Sequence, residues 1–334
     1  MNSIVRLTSC ILLTGLAAIN AAQAAELYHN DRTKDSGPAI VEHIRAAKLL
    51  PVGVFYAHTM MDAGSGVGGA LLGSGAPDFA KPYSAWSAPW VAVTQIIDAR
   101  PRDNAEPLLR IRRSRFRVAD IGLAGCIVWP GQHNTAMSAG PIVEITQRGA
   151  EWPVGMTSFD RVTVTNGEIG ILHADNGDGG GHCDHTRTRE LVTHTVDYSI
   201  ITDDNQSVDH RFDLYAAGNG KAVIWAKQGG KIVADIRTNG SWDRWLLLGD
   251  AEKKTYPNKN NGFFRLRVDM DGGDAVGSPL EELCAYEWSR PVVHIRGIAS
   301  DTAEIKGDPI LLNKARVRIN IERSLKANYV WEAN

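Results

Sequence analysis

The chain has 334 residues, and its 36 Lys and Arg nearly balance 38 Asp and Glu for a net charge of -2. That balance argues against a general nucleic-acid binder, which carries a basic surplus to displace counterions from phosphates. With 43% hydrophobic residues and four cysteines, the composition fits a folded globular protein better than a disordered chain or a disulfide scaffold.

Taken in chain order, residues 1–24 read as a secretory signal peptide. Arg6 supplies the charge, 7–19 is an apolar stretch too short to span a bilayer, and Ala22-Gln23-Ala24 offers small residues for cleavage. The mature chain is then expected to start near Ala25 and to work in the periplasm or outside the cell. Cys126, Cys183 and Cys284 would remain, enough for one disulfide with its pairing open. No later segment is long and apolar enough for a membrane span.

Residues 36–50 place Ile40, Val41, Ile44 and Ala47 near helical spacing, with Ser36 as N-cap, Pro38 early and Pro51 as the stop, which predicts a short helix. Gly64-Ser65-Gly66-Val67-Gly68-Gly69 matches G-x-G-x-x-G, but no βαβ series surrounds it, so residues 64–75 read as a packed loop. With the Pro- and Trp-bearing stretch that follows, residues 25–89 form an N-terminal helix-and-loop segment. From residue 90 to 334 the pattern becomes short runs rich in Val, Ile, Thr and aromatics, bounded by turn residues. Strands are predicted near 191–201, 208–215, 222–228, 231–237, 242–248, 263–269, 291–296 and 315–321. Gly229-Gly230 between two of these runs signals a hairpin. Without a repeat of fixed period, the predicted architecture is mainly β: an antiparallel β-sandwich or jelly roll with a short N-terminal helical segment.

Three constellations could carry chemistry. Strand alternation over 191–201 puts His194 and Tyr198 on one face, just after Arg187 and Arg189. In that arrangement the arginines would neutralise a uronate carboxylate, while His194 and Tyr198 would move the protons of a β-elimination. Gln132, His133 and Asn134, with Arg113 and Arg115 from the arginine-rich run 110–117, would help bind an acidic polymer, because guanidinium matches carboxylate geometry. The loop 173–185 supplies His173, Asp175, Asp178, His182 and His185, a mixture in which oxygens suit Ca2+ and nitrogens suit Zn2+.

These features support an exported carbohydrate-active enzyme that degrades an acidic polysaccharide by β-elimination, a polysaccharide lyase. The alternatives are a metal-dependent hydrolase built on the 173–185 loop and a non-catalytic glycan-binding or surface-assembly protein. Nine tryptophans would serve sugar stacking or a core equally well.

Overall fold

The computed structural model describes residues 26–76, 94–125, 137–150, 153–174, 183–204, 208–257, 262–270, 275–284 and 291–299, with the backbone of 304–305, 310–311 and 318–322. The proposed signal peptide and the boundary at 89/90 lie outside them. Helix α1 (Gly37–Arg45) comes first, as predicted but shorter, and buries Ala39, Ile40 and Ile44 against the end of the sheet structure.

The strands then wind in coils. The first coil runs through β1 (Gly53–Ala57), β2 (Met61–Val67) and β3 (Ala70–Leu72), and the second through β4 (Thr94–Asp98), β5 (Leu109–Ser114) and the start of β6 (Arg117–Ala124). Next come β7 (Ser138–Thr146), β8 (Val154–Gly155), β9 (Ser158–Ala174), β10 (Cys183–Asp184) and β11 (Arg187–Thr202), of which β9 and β11 each turn two corners. The series continues with β12 (His210–Ala217), β13 (Gly220–Ala226), β14 (Lys231–Asn239), β15 (Ser241–Leu248), β16 (Phe263–Met270), β17 (Ala275–Glu282) and β18 (Val292–Ala299). It closes on β19 (Glu304–Ile305), β20 (Ile310–Leu311) and β21 (Arg318–Glu322).

Each strand pairs with its equivalent one coil further on. β12 pairs with β14, β14 with β16 and β16 with β18, while β13 pairs with β15 and β15 with β17. On a further side β2 pairs with β5, β5 with β7 and β7 with β9. All these ladders are parallel, and nineteen strands join in one wrapped sheet. The fold is a three-sided parallel β-helix, which overturns the predicted antiparallel sandwich or jelly roll.

A parallel sheet normally needs helices on both faces. Here each coil covers the inner face of its own strands. Ile121, Val162, Leu191, Leu214, Ile236 and Val268 stand in register across six coils, and all are buried. A second inward row runs Ile200, Ile224, Leu246, Leu280. Each such side chain contributes about 1.5–3 kcal/mol on burial.

The corners are made by left-handed residues. Asp120, Arg161 and Glu190 occupy one corner column, and Arg115, Met156, His185 and Asp209 another, all with φ between 52° and 59°. In a third column Asn166 and Thr195 are followed by Gly218 and Gly240. A Cβ on Gly240 would lie 2.2 Å from the Gly218 carbonyl oxygen, so glycine is required where these two coils touch.

Two local expectations change with the fold. The strands flanking Gly229-Gly230 exist, but they pair with strands of neighbouring coils and not with each other, so the glycine pair turns a corner and forms no hairpin. The glycine-rich stretch 64–75 is not simply a loop, because β2 and β3 run through it. The carbonyls of Ser65, Val67 and Gly68 within it, and of Ala63 just before it, accept hydrogen bonds from the Arg113 guanidinium.

Candidate functional site

The arginines of the 110–117 run are largely consumed within the fold. Arg110 pairs with Glu144 at 2.6 Å and Arg112 with Asp62 at 2.6 Å, Arg113 is held by the carbonyls just named, and Arg117 meets Asp160 at 3.1 Å. Arg115 is exposed at a left-handed corner. Arg113 and Arg115 therefore present no common strip. Gln132, His133 and Asn134 lie outside the described residues.

The pairing of His194 with Tyr198 is also corrected. Thr195 takes φ 54° and turns the chain between them, so His194 sits in register with Ala217 on one side of the helix and Tyr198 with Ala222 on the next. His194 bonds Thr195 Oγ1 through Nδ1 at 2.8 Å, and burial lowers its pKa. Tyr198 packs against Trp225 with ring centres 4.9 Å apart, and burial raises its pKa. Arg187 is exposed, and Arg189 makes a two-pronged contact with Asp160 at 2.8 Å. At Asp160 burial works to raise the pKa, but bonds from Arg189 and Arg117 and the charge of Arg161 hold it below the usual carboxylate value.

Of the metal-loop residues, His173 and His185 lie among the described residues. His173 is fully buried, stacked on His210 at 4.5 Å, and burial drives its pKa down to about 3. His185 is a corner residue whose Nδ1 lies 3.0 Å from Asp209. Asp175, Asp178 and His182 lie outside the described residues. Among the described residues no three metal-ligating side chains converge. Among the described residues Cys183 and Cys284 form no disulfide.

A different place carries the richest chemistry. An open groove of about 830 Å³ follows the seam where one side of each coil meets the next. Coil stacking builds its floor. Glu190, Asp213, Asp235 and Arg267 come from four consecutive coils and line it, and Arg296 of the next coil continues the column just beyond it. Asp213 is in register with Asp235, Asp235 with Arg267, and Arg267 with Arg296, while the Glu190 N–H donates to Asp213 Oδ2 at 3.0 Å. Parallel strands lie about 4.8 Å apart, so Asp213 and Asp235 follow one another up the groove at that step, with Glu190 at the adjoining corner.

Beside this column runs another, Val192, Tyr215, Arg237, Asp269. The Arg237 guanidinium lies 6.0 Å from the centre of the Tyr215 ring, and Arg267 approaches Asp269 at 3.8 Å. At the far end Arg161 clamps Asp120 through two bonds of 2.6 and 2.8 Å, and its pKa is raised first of all by those bonds. By contrast, Glu190, Asp213 and Asp235 form no ion pair within 4 Å among the described residues.

Carboxylates directly opposite one another in a sheet repel, so the Asp213–Asp235 rung is retained at a cost in stability. The groove's acids were not recognisable one at a time. The available signal was the repeated tetrad of inward apolar and outward polar residues in Phe212-Asp213-Leu214-Tyr215, Ala234-Asp235-Ile236-Arg237 and Leu266-Arg267-Val268-Asp269.

No family model and no curated relative matches the chain. Among solved structures it is similar to the enzymatically active domain of tailspike protein 2 from bacteriophage CBA120, with 8% identity over 84% of this chain and 44% of that one and a TM-score of 0.47. It is similar as well to an alginate lyase from Paenibacillus, with 11% identity, 84% and 97% coverage and a TM-score of 0.37. A third is Pantoea stewartii WceF, a glycan biofilm modifying enzyme with a tailspike-like parallel β-helix fold, with 12% identity, 90% and 41% coverage and a TM-score of 0.36. The chain thus spans less than half of the tailspike chain. At these TM-scores the likeness is loose, and the winding of this chain rests on its own strand register.

Proposed function

We propose that this protein cleaves glycosidic bonds in a polysaccharide laid along the groove, with Asp213 and Asp235 as the reacting pair. The observation that carries the reading is the column of carboxylates without ion-pair partners among the described residues, lining an open groove. Glycoside hydrolysis needs two carboxyl groups about 5–9.5 Å apart, one to protonate the leaving oxygen and one to activate water or attack the anomeric carbon. Backbones one strand spacing apart, about 4.8 Å, can present such a pair. The bond from the anomeric carbon to the bridging oxygen breaks, the acid's proton goes to that oxygen, and water supplies the hydroxyl of the new reducing end. An open groove admits a polymer, and secretion through residues 1–24 forms part of the same proposal.

A second reading, β-elimination from a uronate polymer, is favoured by one observation: Tyr215 and Arg237 adjoin in the same groove. There the guanidinium would neutralise the carboxylate while the phenol moves a proton. Incubation with a panel of neutral and acidic polysaccharides, with and without chelator, separates the two. Hydrolysis releases saturated reducing ends, and elimination releases an unsaturated sugar that absorbs in the ultraviolet. Absence of either product from every polymer contradicts the proposal.

A further inference from the structure

The groove is electrically divided along its length. Beyond the Arg161–Asp120 pair, Glu190, Asp213 and Asp235 give its first half a net negative charge. One coil later the same column turns basic, with Arg267 and Arg296 directly in register and Arg237 beside them in the neighbouring column. Arg265, two residues before Arg267 on β16, is exposed as well. Like charges opposite one another destabilise a sheet, and here two such rungs, Asp213–Asp235 and Arg267–Arg296, occur on one surface. Asp235 and Arg267 face each other across the step between them, yet they form no ion pair within 4 Å. Asp269 approaches Arg267 at 3.8 Å.

A row of guanidinium groups continuing a carboxylate column is what an anion lying on the groove would require. The planar fork of arginine grips carboxylate and sulfate oxygens with two parallel bonds. One coil step of about 4.8 Å is close to the advance of one pyranose along an extended glycan. Resting on the proposed glycan cleavage, we infer that Arg267, Arg296 and Arg237 form a binding subsite for an anionic sugar one to two residues from the bond that is cut. The substrate is then a polysaccharide whose repeat carries a carboxylate or sulfate at that distance, and no neutral glucan would occupy the whole groove.

The test is binding, so that it does not depend on turnover. Uronate oligosaccharides, their carboxyl-reduced neutral counterparts and sulfated oligosaccharides are titrated into the full chain carrying Asp235→Asn, at low and high salt. Affinity for either anionic series should exceed that for the neutral series and fall with salt. The series bound more tightly identifies the anion. Arg267→Gln and Arg296→Gln should each weaken anionic binding roughly tenfold or more in chains that keep the wild-type circular dichroism spectrum. Equal binding of charged and neutral oligosaccharides, anionic binding that survives both substitutions, or no binding of any anionic glycan overturns the inference. Tight binding of anionic glycans by a wild-type chain that cuts none of them would uphold the subsite while removing the cleavage reading.

Discussion

The fully buried His173 gives the fold a calculable acid sensitivity. Its ring stacks on His210, which in turn stacks on Phe212 with ring centres 5.7 Å apart, and burial lowers its pKa from 6.5 to about 3. The unfolded chain takes up a proton near pH 6.5 that the folded chain refuses until about pH 3. The unfolded state therefore binds more protons in that window, and stability is complete above pH 6.5 and lost as pH falls. The loss is about 1.4 kcal/mol per pH unit, or about 2 kcal/mol at pH 5. Burial lowers the His210 pKa as well, which adds to the loss with the same sign. His173→Phe keeps a flat ring in the stack and removes the titration. Urea unfolding at a series of pH values from neutral to about 4 should show the wild type losing stability more steeply than the variant, by about 1.4 kcal/mol per pH unit. Parallel profiles for the two proteins would refute the reasoning.

Three further outcomes are expected. Burial raises the pKa of Glu282 to about 7, with Tyr256 donating a hydrogen bond to it. Here the folded state holds the extra proton, so stability present below about pH 4.5 is lost as pH rises towards 7, and Glu282→Gln should gain on the wild type over that range in the same unfolding assay. Gly240→Ala forces a Cβ onto the Gly218 carbonyl from a φ of 118°, and should cost about 2–3 kcal/mol, read as a fall in denaturation midpoint; a neutral result would mean that the two coils can separate there. Arg113→Met strips the donor from four carbonyls of the glycine-rich turn, and should lower stability by about 2–3 kcal/mol while leaving glycan binding intact, whereas lost binding in a stable variant would return Arg113 to the substrate surface.

Much of the local structure was legible in the sequence. The predicted strands at 208–215, 231–237, 242–248 and 263–269 lie within or largely over β12, β14, β15 and β16. Their partners were not legible, for a physical reason. An exposed parallel β-helix has one face in water, so Arg211, Asp213 and Tyr215 alternate with buried Phe212, Leu214 and Ala216 in the manner usually associated with antiparallel sheets. Unequal loops between coils also erase any fixed period, although Asp213, Asp235 and Arg267 are structurally equivalent.

The candidate site was hidden by the same geometry. Glu190, Asp213 and Asp235 are distant in sequence and become neighbours only when coils stack. Alternation suggested one face for His194 and Tyr198, but the left-handed Thr195 breaks the period. A β-branched residue rarely adopts that conformation, and nothing in its local sequence announces the corner. The arginine run was conspicuous because its residues are adjacent in sequence, yet its ion pairs with Asp62, Glu144 and Asp160 leave it holding coils together.

The two facing aspartates are tested most directly by reducing-end release from a panel of acidic polysaccharides by the wild type, Asp213→Asn and Asp235→Asn. The wild type should cut at least one polymer. Each variant should lose at least about a hundredfold in rate, the scale of general acid–base catalysis, while matching or exceeding the wild type in thermal stability, because one of two opposed charges is gone. Variants that cut as fast as the wild type would contradict the central claim.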